Sequence, residues 1–287
     1  MKIGILGGSG LYELEGIHDL KEHRLATPYG DPSDSYMTGS LHGREVVFLP
    51  RHGRGHRILP TEIPFRANIW GMKKLGVTHL LSVSAVGSLK EEIEPGHLVF
   101  PDQFIDRTFH RESTFFGRGI VGHVQFGHPV CQHVVEVLAQ AAERLGMRTH
   151  RGGTYVCMEG PAFSTQAESL LYRSWGGAVI GMTNLQEAKL AREAELCFAT
   201  IALATDYDCW HESEAEVSVE AVLQVMHKNV VNSKRLLAAA IAALPEDRPC
   251  AAPDALRFAI LTPLDSVPEQ TRADLEPIIG RYLRGGK

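Results

Sequence analysis

Ile201-Ala202-Leu203-Ala204-Thr205-Asp206-Tyr207-Asp208-Cys209-Trp210 is the stretch from which the fold can be read. Its first half is an apolar run of strand length, and its second half delivers two carboxylates two positions apart. If the extended conformation continues, the side-chain period of two puts Asp206 and Asp208 on one face and Thr205 and Tyr207 on the other. Like charges that close do not both ionise comfortably, so one carboxyl is expected to hold its proton and the pair to titrate as a unit. A protonated acid beside an ionised one can donate and accept together. That suits a base edge such as adenine, where N7 accepts a hydrogen bond and the 6-amino group donates one. The same ten residues also read as a solvated turn after a buried strand.

Other strands end in the same manner. Lys2 to Leu6 runs into Gly7-Gly8-Ser9-Gly10, which is either a phosphate loop or a tight turn. No Gly-Lys-Ser/Thr follows, and Glu13 stands where a dinucleotide fingerprint needs glycine. Tyr36 to Leu41 and Glu45 to Leu49 flank His42-Gly43 as a hairpin. The second of these leads into Pro50-Arg51-His52-Gly53-Arg54-Gly55-His56-Arg57, the most basic stretch of the chain. Guanidinium binds phosphate in a bidentate manner and glycine admits backbone amides, so this reads as an oxyanion site; the alternative is an exposed basic loop. His52 and His56 have the spacing of a helical metal pair, but the intervening glycines argue against a helix and hence against a metal. His79 to Ala85 is a strand whose Ser82 and Ser84 can bind an anion or cap a turn. Thr154 to Cys157 leads to Glu159-Gly160-Pro161-Ala162-Phe163-Ser164, where Phe163 either stacks on a base or joins the core. Ala178 to Met182 ends in Met182-Thr183-Asn184.

Helices are expected over Pro64–Leu75, Val130–Leu145, Thr165–Trp175 and Leu185–Glu195, the last with its charges on an outer face. A longer one spans Val217–Leu244, with an apolar stripe through Val219, Val222, Met226, Val230, Leu237, Ile241 and Leu244, and a final helix lies near Pro268–Leu283. Arg107 to Gly127, which carries His123, is too long for an idle connector. Alternating strands and helices predict an α/β fold: one domain over residues 1–287, with a twisted, largely parallel or mixed sheet flanked by helices and ligands at the carboxyl ends of strands. The chain carries 34 acidic and 29 basic residues without a block of like charge, so no nucleic-acid or membrane surface is expected. There is no run of about 20 apolar residues for a membrane span. The start of the chain lacks the pattern of a signal peptide, and the five cysteines lack Cys-x-x-Cys spacing; both point to reduced thiols in a cytoplasmic protein.

Sorted by chemistry, the strand ends supply an anion set (Ser9, Arg51, His52, Ser84, the Ala85 backbone, Thr183) and a base-edge set (Phe163, Ser164, Asp206, Asp208). An anion beside a purine-like edge suggests a nucleoside cleaved by phosphate. Six ordered motifs then carry a resemblance: Gly-Gly-Ser-Gly-Leu-Tyr at 7–12, Arg-His-Gly-Arg-Gly-His at 51–56, Ala-Asn-Ile-Trp at 67–70, Asp-Gln-Phe-Ile-Asp-Arg-Thr at 102–108, Glu-Gly-Pro-Ala-Phe-Ser at 159–164 and Thr-Asp-Tyr-Asp-Cys-Trp at 205–210. Together they resemble the trimeric purine nucleoside phosphorylase family, on its methylthioadenosine-cleaving branch, over about residues 3–244.

The resemblance implies phosphorolysis of 5′-methylthioadenosine to adenine and 5-methylthioribose 1-phosphate, by a homotrimer or a dimer of trimers, with no metal or organic cofactor. It implies phosphate on Ser9, Arg51, His52, Ser84, Ala85 and Thr183, and the ribose face on Met182. Adenine would lie against Phe163, Ser164, Asp206 and Asp208, with Asp206 the general acid at N7. It further implies that His123 reaches a neighbouring subunit's 5′ pocket and that Val219 and Val222 wall the methylthio group. Ser9 stands where threonine is common in the family's eukaryotic pattern, and the residues beyond about 245 match that pattern poorly. The alternatives are a phosphorylase of 6-oxopurine nucleosides and a non-catalytic nucleoside-binding protein.

Overall fold

The computed structural model describes residues 1–8, 14–211 and 219–284; the side chains of residues 219–224 and 226 also lie outside the description. The first half of the chain folds as β1 (Lys2–Gly7), β2 (His18–His23), β3 (Tyr36–Leu41), β4 (Arg44–Pro50), α1 (Phe65–Lys74), β5 (His79–Ser88), β6 (Leu98–Phe100), β7 (Gln103–Arg107) and α2 (Gln132–Arg144). There follow β8 (Thr149–Arg151), β9 (Thr154–Met158), α3 (Gln166–Ser174), β10 (Gly177–Gly181), α4 (Asn184–Glu193), β11 (Cys197–Asp206), α5 (Val219–Ala243), α6 (Glu269–Asp274) and α7 (Glu276–Leu283). The fold is a mixed α/β sheet flanked by helices.

Strand β5 organises the sheet. Along one edge it pairs in parallel with β11 from His79 to Gly87. Its other edge pairs in parallel with β1 only as far as Ser82, and then with antiparallel β10 at Gly87 and Ser88. Among the described residues, 83–86 therefore have no strand beside them on that edge, which leaves a gap. Ala85 is exposed there although its strand is central. Because β1, β4, β5 and β11 are mutually parallel, their carboxyl ends meet at the gap. The hairpin of β3 and β4 turns on His42 (φ 51) and Gly43 (φ 74), a two-residue turn with both residues left-handed.

Three expectations change. The charges of α4 do not face outward: Glu187 is 1% exposed, and Arg192 and Glu193 are also buried. Each finds a partner inside, which is what permits a charged helix to lie under a sheet. The stripe of α5 is buried at Leu237, Ile241 and Leu244 but fails at Val230, which is exposed. Asn229 is the buried residue at that level, donating from Nδ2 to the Ala204 carbonyl at 2.9 Å. The final helix is broken into α6 and α7 at Leu275, since Pro277 follows in the next first turn. Ala252, Leu256, Leu275, Ile278 and Ile279 join the main core cluster. Buried Glu195 ties this segment down, accepting from Leu256 N at 3.0 Å and Arg281 Nη2 at 2.7 Å.

His79, at the start of β5, is buried, and burial with the nearby Arg248 charge lowers its pKa to about 4. An unfolded histidine titrates near ~6.5, so the folded chain resists a proton that the unfolded chain accepts. Stability is then full above that value and is lost as pH falls toward about 4. Urea midpoints should fall between pH 7 and pH 5 by the equivalent of about 1–2 kcal/mol, allowing for solvent screening, and His79→Gln should flatten the fall.

Candidate active site

The anion corner is built on Arg51, which leaves β4 and turns back under the gap in β5. It is 3% exposed. Its fork closes on Glu187 of α4, with Nε to Oε1 at 2.6 Å and Nη2 to Oε2 at 3.2 Å. Nη2 also donates to Ser82 Oγ at 2.8 Å, and Nη1 to the Val83 carbonyl at 2.7 Å. The bidentate grip expected for phosphate is thus made on a carboxylate. What remains for an anion is the second Nη1 hydrogen. Ser82 lies wholly inside this network, donating to Glu187 and accepting from Asn184 Nδ2 at 2.8 Å. Ser84, two residues on, faces Tyr155 Oη at 3.1 Å. That contact requires Gly181, because a Cβ there would stand 1.9 Å from the tyrosine oxygen.

Antiparallel β10 brings its end back along β5, with Ile180 opposite Gly87, so Met182 and Thr183 arrive beside Ser84 and Ala85. Thr183 is buried, immediately precedes α4, and its hydroxyl makes no cap hydrogen bond. The ten-residue α4 begins here, and the positive end of a helix favours an anion. His52 follows Arg51 and donates from Nδ1 to the Ile58 carbonyl at 2.8 Å. Burial lowers its pKa to about 4, so the ring is neutral and Nε2 is an acceptor. His56 stacks on it at 4.3 Å.

The acid pair forms differently from the sequence expectation. A bulge at Thr205 interrupts the register between β11 and β5, and the strand ends at Asp206. Asp208, at φ 53, opens a short 3-10 turn, so alternation of faces does not bring the acids together. A backbone contact does: Asp208 N donates to Asp206 Oδ1 at 2.8 Å, while Thr205 Oγ1 donates to Asp206 Oδ2 at 2.6 Å. Asp208 Oδ2 is buried with no hydrogen-bond partner among the described residues. Burial, reinforced by the neighbouring Asp206 charge, pushes the Asp208 carboxyl up. One acid of the two does hold its proton more tightly, and desolvation outweighs mutual repulsion as the cause. A buried, unpartnered carboxyl oxygen at a strand end marks a place for a ligand.

Between the two corners lies the Glu159–Ser164 segment. Ser164 accepts at its carbonyl from Cys209 Sγ at 3.2 Å, which brings it beside the acids. Phe163 is 83% exposed, which excludes a core role. Gly160, at φ 69, lets the Met182 sulfur pass: a Cβ would stand 2.5 Å from it.

The residue that holds this segment, missed in the sequence, is Arg111. Its side chain is wholly buried. Nε donates to Glu159 Oε1 at 3.1 Å, Nη1 to the Met182 carbonyl and to Gln186 Oε1, and Nη2 to the Glu159 carbonyl. Its only sequence signal is its place in the long 107–127 loop. One guanidinium therefore couples the Glu159–Ser164 segment to Met182 and to α4. Arg111→Lys keeps the charge and loses the fork. It is expected to raise the KM for nucleoside by about 10-fold with a smaller change in the KM for phosphate, measured by steady-state kinetics.

Of the remaining expected site residues, only His123 is described. Ser9 and the side chains of Val219 and Val222 lie outside the described residues. His123 is exposed and lines a separate cleft of about 520 Å³ with Phe116, Val121, Lys189 and Glu193. The last two sit toward the far end of α4, about 10–15 Å from Thr183.

Residues 2–242 match the phosphorylase superfamily. An S-methyl-5′-thioadenosine phosphorylase of Geobacter sulfurreducens is 58% identical over 98% of this chain and 99% of the relative. One of Koribacter versatilis is 58% identical over 98% of this chain and 97% of its own length. Among solved structures, a methylthioadenosine phosphorylase from an antarctic soil metagenomic library superposes with a TM-score of 0.93 at 45% identity, covering 96% of this chain and 98% of that one. The unliganded methylthioadenosine phosphorylase of Schistosoma mansoni gives a TM-score of 0.81 at 35% identity, covering 90% and 96%.

Proposed function

The chain belongs to the phosphorylase superfamily, and from that premise we propose that it is a pentosyltransferase that cleaves 5′-methylthioadenosine with phosphate, giving adenine and 5-methylthioribose 1-phosphate. One observation carries the reading. Ala85, at the anion corner, and Gly87, against which the acid pair packs, are two residues apart on β5, about 7 Å. A single nucleoside and a single phosphate can touch both corners at once.

In this reading phosphate binds against Ala85, Ser84, Thr183, the start of α4 and the free edge of Arg51, with Ser9 closing the site. His52, neutral, accepts from the P–OH of monohydrogen phosphate through Nε2. The bond from C1′ to N9 breaks as a phosphate oxygen bonds to C1′, and the anion's charge stabilises the oxocarbenium-like centre between them. Adenine leaves with a proton delivered to N7. Asp206 is the donor, and beside it lies Asp208, whose carboxyl is pushed up by burial and by the Asp206 charge. Phe163 and Ser164 line the base and Met182 the ribose. No metal or organic cofactor takes part; phosphate is a co-substrate.

The working assembly is a homotrimer in the cytoplasm. The position of His123, away from its own chain's site, supports a role in a neighbour's 5′ pocket, and Val219 and Val222 complete the methylthio wall. No described helix is long and apolar enough to cross a membrane. Phosphorus NMR of the reaction tests the chemistry: a sugar 1-phosphate should form in step with adenine. Free methylthioribose, without a phosphate ester, would make the protein a hydrolase instead.

A further inference from the structure

Three cysteines that are 131, 197 and 250 in sequence meet in space. Their sulfurs all lie within 4.8 Å of one another, and those of Cys197 and Cys250 are 3.3 Å apart. Cys131 precedes α2, and its N–H bonds to the Phe198 carbonyl at 2.8 Å, fixing it beside Cys197 at the start of β11. Cys250 reaches them from the segment beyond α5, held by Arg248, whose Nη1 donates to the Glu195 carbonyl at 3.2 Å. Cys131 and Cys197 are buried, and Cys250 is half-buried, which leaves one way in.

We propose that Cys131, Cys197 and Cys250 form a three-thiolate site for monovalent copper. Metal–sulfur bonds of about 2.3 Å in a trigonal plane put the sulfurs about 3.9 Å apart, within the spread seen here. Three soft sulfurs select a thiophilic ion. Zinc calls for a fourth ligand, and among the described residues no further Cys, His, Asp or Glu joins the cluster. Binding replaces three S–H bonds by three Cu–S bonds and releases three protons, with copper staying monovalent. The complex carries two negative charges. The N-terminus of α2 and the buried Arg192 guanidinium, within electrostatic reach of all three sulfurs, offset them.

The site lies at the opposite end of β11 from Asp206, nine residues and about 30 Å away. It is therefore separate from phosphorolysis, and its role is to clamp α2, β11 and the segment after α5 together.

The test is anaerobic titration of the reduced full-length protein with copper(I) against bicinchoninate, followed by X-ray absorption. The proposal predicts one copper per chain with three sulfur neighbours. Cys131→Ser, Cys197→Ser and Cys250→Ser should each weaken binding about 100-fold or more, and Cys209→Ser should leave it intact. Phosphorolysis should continue in the variants at Cys131, Cys197 and Cys250. Copper that stays with the competitor, binding that follows Cys209, two sulfur neighbours, or zinc held in preference to copper would overturn it. If a serine variant fails to fold, the sulfur count on the unaltered chain decides.

Discussion

Asp206→Asn should move the substrate preference from 6-amino to 6-oxo purine nucleosides, with kcat/KM for 5′-methylthioadenosine falling about 10³-fold and hypoxanthine release from inosine or methylthioinosine rising. The reason lies in what the side chain can donate. Asp206 takes hydrogen bonds from Thr205 and from the Asp208 amide, and lies beside a carboxyl that burial pushes up. An amide keeps the shape and one acceptor, cannot deliver a proton to N7, and offers a fixed N–H toward O6. Adenine then loses its acid while a 6-oxo base gains a donor. Kinetics with the three substrates measures the switch, and unchanged selectivity would remove Asp206 from this role.

The second large effect is expected at a residue that does not reach the substrate. Glu187→Ala leaves the Arg51 guanidinium buried without its carboxylate, and breaking a buried pair in this way costs about 3–5 kcal/mol. Urea denaturation should show that loss. The same substitution frees the fork that points the remaining Nη1 hydrogen at the anion corner, so kcat/KM for phosphate should fall about 100-fold or more. Wild-type stability together with an unchanged phosphate KM would mean that Glu187 does not aim Arg51.

These two residues also show what can be read from the chain. The strand ends at Arg51, Ser84, Thr183 and Asp206 are legible because each sits where an apolar run stops, and the chemistry of a strand end is local. Their partners are not local. Glu187 lies 136 residues from Arg51, and from sequence alone it reads as one more charge on an amphipathic helix. The three cysteines fail the usual test for the same reason, since spacing motifs detect ligands from one loop and these come from three segments. Register is the other blind spot. The bulge at Thr205 defeats a period-two argument that is sound up to Ala204, and the gap beside β5 depends on where β1 stops and β10 arrives. Arg111 illustrates a third limit. A guanidinium in a long loop looks solvated until the loop is seen to fold it into the interior.

The central claim is that the anion corner and the acid pair act on one 6-amino nucleoside together. Release of free base is its most direct measure, followed with 5′-methylthioadenosine, adenosine and inosine, each with and without phosphate. Adenine release that requires phosphate and is fastest from 5′-methylthioadenosine is the predicted result. Release without phosphate, or hypoxanthine from inosine formed faster than adenine, would contradict it.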